Sequence, residues 1–411
     1  MKLNVDCTSC GAEDELHSGG HCWRCVLSTT VHRLLTNPTT AQIHPALLPV
    51  ATALKAMDRP NSGLTWINQP HVTDFLAELA AAPTTSHDAL DALPASRTRD
   101  YVRGLLVEHG ALPRRDELLA RFKTWSDQAL DRLPEGEHRD IARRFVRWHL
   151  LRRMNTAPGE VTRGTFLRSK QTTTVTIDFL NWLTDRGTTL SRLTQSDIDA
   201  WQAGGPSTRE FASRFLAWAT KTSLVDPILR MEPHRRGTAH RLPAAEQSRA
   251  VQALAHHDNL TPRDRLAAIL VLVLGQQIAH VVRLTWDDAT IAEELATITI
   301  GAAPIMLPPP LDEPLRQLHA EPGHGQTAAH PDTTWIFRGH SPGQHISAAH
   351  LRQRLKTVCS TRAARLSTLS ELTKTSPIPV LAEILGYNTA TLERHAVAAA
   401  ATYSRYIATR R

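Results

Sequence analysis

Apolar residues fall three and four positions apart through Val72–Leu79, Arg97–Val107 and Asp116–Leu130, the spacing of one face of a helix. Pro113 and Pro134 punctuate these stretches, because proline lacks the N–H that a helix interior needs. A second stripe of Val175, Phe179, Leu180, Trp182 and Leu183 leads to a turn and a capped helix start over Leu190–Ile198. Phe211, Phe215, Leu216 and Trp218 line a further helix. From Arg263 to Leu274 the chain is almost continuously apolar, as in a buried helix, and Gly275 breaks it. Ala296–Ile300 and Pro304–Leu307 are two short runs that read as a hairpin across Gly301. Another helix is expected from Asp312 to His319. The expected fold is therefore mainly α, with one small β-hairpin.

Four of the five cysteines lie in the first 25 residues, as Cys7-x-x-Cys10 and Cys22-x-x-Cys25 with eleven residues between the pairs. Two such knuckles offer four thiolates to one tetrahedral ion, so a structural Zn²⁺ in a zinc-ribbon-like module is expected. A redox dithiol is the alternative, and His17 or His21 is a possible substitute for one ligand. About thirty residues bury too little surface to fold alone, so the metal would supply the folding energy. Cys359 stands alone in a helical stretch and reads as a small core residue.

The 411 residues allow two or three domains. The pattern divides them into the zinc module (1–30), a helical region (31–160), a helical bundle (161–226), a basic linker (227–243) and a C-terminal domain (244–411). The net charge is +7 and the isoelectric point about 9.4, which favours a polyanionic partner. Arg139, Arg143, Arg144, Arg147, Arg152 and Arg153 share a helix with Phe145, Val146, Trp148 and Leu151. That helix reads either as a solvated face or as one that tracks phosphates. The linker adds Arg230, Arg235, Arg236 and Arg241 with His234 and His240. No apolar run reaches membrane-span length, and the N-terminus lacks a signal-peptide pattern. The expected compartment is thus the cytoplasm, in association with the bacterial nucleoid.

The last fifty residues set the functional question. Arg365 lies on a helical run, and Leu385-Gly386-Tyr387 follows 22 residues after it, before a helix containing His395 and Ala396. Upstream, Gly275 opens a box that ends in Leu284, Trp286 and Asp288. Together with the stripes over 165–224, this layout resembles the tyrosine recombinase (phage integrase) family across about sixty per cent of the chain. The resemblance implies a helical core-binding bundle, a mostly helical catalytic domain and duplex DNA as partner.

It also implies catalytic residues that this chain does not have. The first-box arginine position holds Gln277 and the glutamate position His280, and His280-x-x-Arg283 is a decoy for the family's HxxR motif. No lysine or arginine occurs from Trp286 to Leu315, where the family hairpin carries its general acid. The second box reads Arg362-x-x-Arg365, the third-box position holds Tyr387, and the nucleophile position falls on Ala396. Tyr403 and Tyr406 lie seven and ten residues beyond it, roughly 10 Å or more along a helix.

The leading expectation is a DNA-binding protein that has lost strand cleavage, with Arg362, Arg365, Tyr387, Arg235, Arg236, Arg241, Arg143, Arg144 and Arg147 facing DNA. It would act as an accessory or regulatory factor, as a homo-oligomer or beside a partner recombinase. A second reading is an active recombinase using Tyr406 or Tyr403 with Arg365, and a third is a zinc-ribbon adaptor that binds protein.

Overall fold

The computed structural model describes residues 5–157, 159–232, 241–256, 260–321 and 334–409, with the side chains of 5, 255–256 and 401–409 excepted. It is mainly helical with small antiparallel sheets, as the apolar spacing predicts. The chain divides into two compact units, one of residues 1–113 with 239–411 and one of 114–238. Among the described residues no helix is long and apolar enough to cross a membrane.

The N-terminus is built from two tiny antiparallel pairs. Strand β1 (Val5–Asp6) pairs with β2 (Glu13–Asp14), and β3 (Leu16–Ser18) pairs with β4 (His21–Cys22). Cys22 is then the N-cap of helix α1 (Trp23–Leu35), so the second cysteine pair straddles a helix start. Helices α2 (Leu48–Lys55), α3 (Pro60–Ile67), α4 (Pro70–Ala81), α5 (His87–Ala92) and α6 (Arg97–Glu108) follow. Proline opens α3 and α4, where its missing N–H is harmless. The six helices share one core around Leu27, Val31, Leu35, Leu54, Ile67, Leu76 and Leu105. Within the same unit, the Tyr101 ring of α6 lies 5.9 Å from that of His340, which ties this core to the C-terminal part.

Residues 114–238 form the second unit around α7 (Glu117–Leu130), α8 (Glu137–Arg144), α9 (Arg152–Thr156), α10 (Arg163–Asp185), α11 (Gln195–Ala203) and α12 (Ser213–Lys221). A π-helical segment, Phe145–Leu151, joins α8 to α9. The start of α11 carries a reciprocal capping box between Thr194 and Asp197, the arrangement its sequence predicts. Helices α7 to α9, which the pattern grouped with the region before residue 160, share the bundle's core here. The reason is a set of long-range contacts: Phe122 meets Phe166 edge-on, Phe145 meets Phe215, and Asp116 accepts a hydrogen bond from the Val161 N–H.

The C-terminal part holds α13 (Ala244–His256), α14 (Pro262–Leu272), the single turn α15 (Ile278–Val281), α16 (Glu313–Ala320), α17 (Ala348–Arg354), α18 (Thr361–Thr375), α19 (Ile378–Leu385) and α20 (Thr389–Thr409). From Asp264 to Leu272 every residue of α14 is buried, as an all-round apolar helix demands. Its one buried acid, Asp264, is 2% exposed and accepts from Arg354 Nε at 2.7 Å. The expected hairpin forms from β6 (Ala296–Thr299) and β7 (Pro304–Met306). A third strand, β5 (Ala289–Ile291), pairs with β6 to make a meander. At three residues β5 is too short to show alternation.

Candidate functional site

Helix α18 carries Arg365, and polar side chains fix the helix around it. Ser367 and Thr368 are both 6% exposed. Ser367 accepts from the Leu242 N–H at 2.8 Å and donates to the Leu242 carbonyl at 3.2 Å. Thr368 donates to the Leu272 carbonyl at 2.6 Å and accepts from Gln247 Nε2 at 2.7 Å. Buried hydroxyls need such partners, and here the partners lie on the linker end and on α13 and α14. Arg365, one turn earlier, is thereby held on a rigid element.

Around Arg365 the structure gathers three loops. Gly386 ends α19 in the left-handed region at φ 67°, where a Cβ is strained. The turn of the β6–β7 hairpin packs directly on it: a Cβ on Gly301 would stand 2.1 Å from the Glu383 carbonyl and 2.6 Å from the Gly386 N. Ala302 N–H donates to that same Glu383 carbonyl at 2.9 Å. From the first box, Gln276 Nε2 donates to the Leu385 carbonyl at 3.1 Å. Gln276 is 2% exposed, whereas Gln277 is exposed. Sequence reasoning passed over Gln276. Its adjacency to the chain-breaking Gly275 was the available signal.

Tyr387 completes the turn. Its hydroxyl donates to the Gly275 carbonyl at 2.7 Å and accepts from Arg365 Nη1 at 3.3 Å. Burial pushes its pKa up, against the opposing field of Arg365. The phenol proton therefore goes to Gly275, and the side chain orients Arg365 instead of donating to an anion. Arg365 is half-buried and has no ion pair among the described residues.

Helix α20 faces this group with His395. Burial, and then the positive charges of Arg365, Arg241 and Arg394, lower the His395 pKa below its usual 6.5. The imidazole stands within the field of three guanidiniums, which disfavours its protonation. His395 was legible only as a residue next to the nucleophile position. Its place beside Arg365 comes from the packing of α18 against α20, thirty residues apart.

The remaining basic candidates distribute as follows. Arg241 contributes to the same field, and Arg362 is exposed on α18. Arg143 pairs with Asp140 at 2.8 Å, while Arg144 and Arg147 are exposed, all three in the other compact unit. Arg235 and Arg236 lie outside the described residues, as do the side chains of Tyr403 and Tyr406.

At the N-terminus the four cysteines converge. Their sulfurs all lie within 4.8 Å of one another, with Cys7–Cys25 at 3.8 Å and Cys10–Cys22 at 3.9 Å. Four thiolates about 2.3 Å from one tetrahedral ion would stand roughly 3.8 Å apart, so the donor set fits a thiophilic divalent ion. The Cys22 N–H donates to Cys7 Sγ at 3.3 Å and helps lower that thiol to about 5. Burial, followed by the neighbouring sulfurs, pushes Cys25 up to about 12. A cation at the centre would reverse that repulsion.

No family model matches the chain, and no curated protein does. Among solved structures it is similar to the XerH site-specific recombinase in a post-cleavage complex with palindromic difH substrate, at 12% identity and a TM-score of 0.44 over 71% of this chain and 95% of that one. It is similar to the XerA recombinase at 14% identity and a TM-score of 0.30, over 66% and 99%. A lambda integrase (75–356) dimer bound to a COC′ core site gives 15% and 0.40, over 62% and 94%. These likenesses assign no residue its role.

Proposed function

We propose that this chain holds duplex DNA on a tyrosine-recombinase-like scaffold without cutting it, as an accessory or regulatory factor in recombination or in maintaining a mobile element. The observation that carries this reading is the state of Arg365: anchored by α18, oriented by Tyr387 and free of acidic partners among the described residues. A fixed guanidinium of this kind binds a phosphodiester through charge and forked hydrogen bonds. Arg241 and Arg394 add positive charge around it. Among the described side chains the group offers no uncommitted tyrosine hydroxyl: His395 and Ala396 stand in the stretch where the family would align its nucleophile, and Tyr387 is engaged with Gly275 and Arg365. Strand cleavage on such a complex would come from a partner recombinase. The four-cysteine module is assigned Zn²⁺ in a purely structural role, because a closed all-thiolate set leaves no open position for chemistry.

Arg365→Ala is expected to weaken duplex binding by about 10- to 150-fold, the range of about 1.5–3 kcal/mol for a hydrogen bond to a charged group. The slope of log affinity against log salt should become shallower by about one. The loss should be uniform across duplex sequences. Equilibrium titrations at several salt concentrations check this, and an unchanged affinity and slope would refute the site.

A further inference from the structure

The 114–238 unit carries a surface that its own fold does not explain. In the π-helical segment Phe145–Leu151, Phe145, Val146 and Leu150 fill the core at 0–5% exposure. Phe145 meets both Phe215 and Trp218 at 5.3 Å between ring centroids. The core is complete without Trp148, which is 68% exposed. Single-turn π segments of this kind are frequent at functional sites. Arg144, Arg147 and Arg152, all exposed, lie within one helical turn of the indole.

Beside them, three further elements bring like charges together. Arg153 and Arg168 on α10 both repel Arg214 on α12, and the fields of Arg153, Arg214 and Lys221 fall on His149. All four cations are exposed, and none of these seven basic residues has an ion pair among the described residues. Positive charges gathered without counterions destabilise the free protein, and they fit a polyanion.

Charge alone would serve a duplex backbone. An indole left in water would not: it adds nothing to a phosphate contact, but its face matches an unpaired base, and stacking on such a base is largely indifferent to sequence. We propose that this surface binds single-stranded DNA, with Trp148 stacking on one unpaired base and Arg144, Arg147, Arg152 and Arg153 holding the flanking phosphates. The inference builds on the DNA-binding reading but uses a different surface and a different form of DNA.

The test uses the full chain with a labelled thymidine 20-mer, the same strand made abasic, and a duplex of equal length. Trp148→Ala is expected to weaken binding of the thymidine strand by about 5- to 150-fold, the range for loss of one base–aromatic stack. Trp148→Phe should stay within about threefold of the natural chain. The abasic strand and the duplex should each change less than about threefold with either variant. Equal binding of the thymidine strand by the natural chain and Trp148→Ala would overturn the proposal, as would a similar loss on the abasic strand. If the natural chain binds the single strand but not the duplex, it is the Arg365 reading that fails instead.

Discussion

Cys22→Ser is expected to release the metal from the N-terminal module and to unfold it. Zinc in small modules of this kind contributes about 10–16 kcal/mol of apparent folding free energy, and the described residues before α1 bury too little apolar surface to replace it. Their strands are two or three residues long, and the helices share a core that begins at Leu27. Cys22 offers a ligand from the start of α1 and directs its backbone N–H at Cys7 Sγ. Metal analysis should find about one zinc per natural chain and essentially none in the variant. Trypsin should then cut after Arg24, which is exposed at the start of α1, while the core from Leu27 to Leu112 resists. Cys359→Ser, a change far from the sulfur cluster, should leave the zinc in place. Zinc retained at full stoichiometry in Cys22→Ser would contradict the assignment.

Phe179→Ala should destabilise the 114–238 unit by about 3–5 kcal/mol, the usual loss for truncating a buried phenylalanine. Phe179 is 0% exposed and its ring meets those of Trp182, Trp201 and Phe215 at 5.4–6.4 Å. All three partners lose a face at once, and aromatic pairs contribute beyond their buried area. Five of the nine tryptophans, Trp125, Trp148, Trp182, Trp201 and Trp218, lie in this unit. Tryptophan fluorescence in guanidinium chloride therefore reports mainly on it. The midpoint should fall by roughly 1 M, from the usual dependence of stability on denaturant. A midpoint unchanged within error would mean that this aromatic cluster is not the unit's core.

Much of the architecture was legible because it rests on local periodicity. The buried α14, the hairpin across Gly301, the capped start of α11 and the glycine-ended α19 all follow from residues close in sequence. What was not legible depends on long-range contacts. Helices α7 to α9 have the same amphipathic spacing as those before them, and only Phe122 against Phe166 and Phe145 against Phe215 assign them to the bundle. The cysteine cluster could be read at once, since spacing alone brings the knuckles together. The Arg365 group could be read only in part. Arg365 and Tyr387 were visible through their motif, but His395 and Arg241 join them through packing, and the Tyr387 proton goes to a carbonyl 112 residues away.

The central claim, DNA held but not cut, is tested most directly by incubating the full chain with a nicked suicide duplex and running one sample on native and denaturing gels. The account predicts a shifted band on the native gel that weakens steeply with salt, and no protein–DNA band on the denaturing gel. A covalent band on the denaturing gel that disappears in Tyr406→Phe or Tyr403→Phe would contradict it.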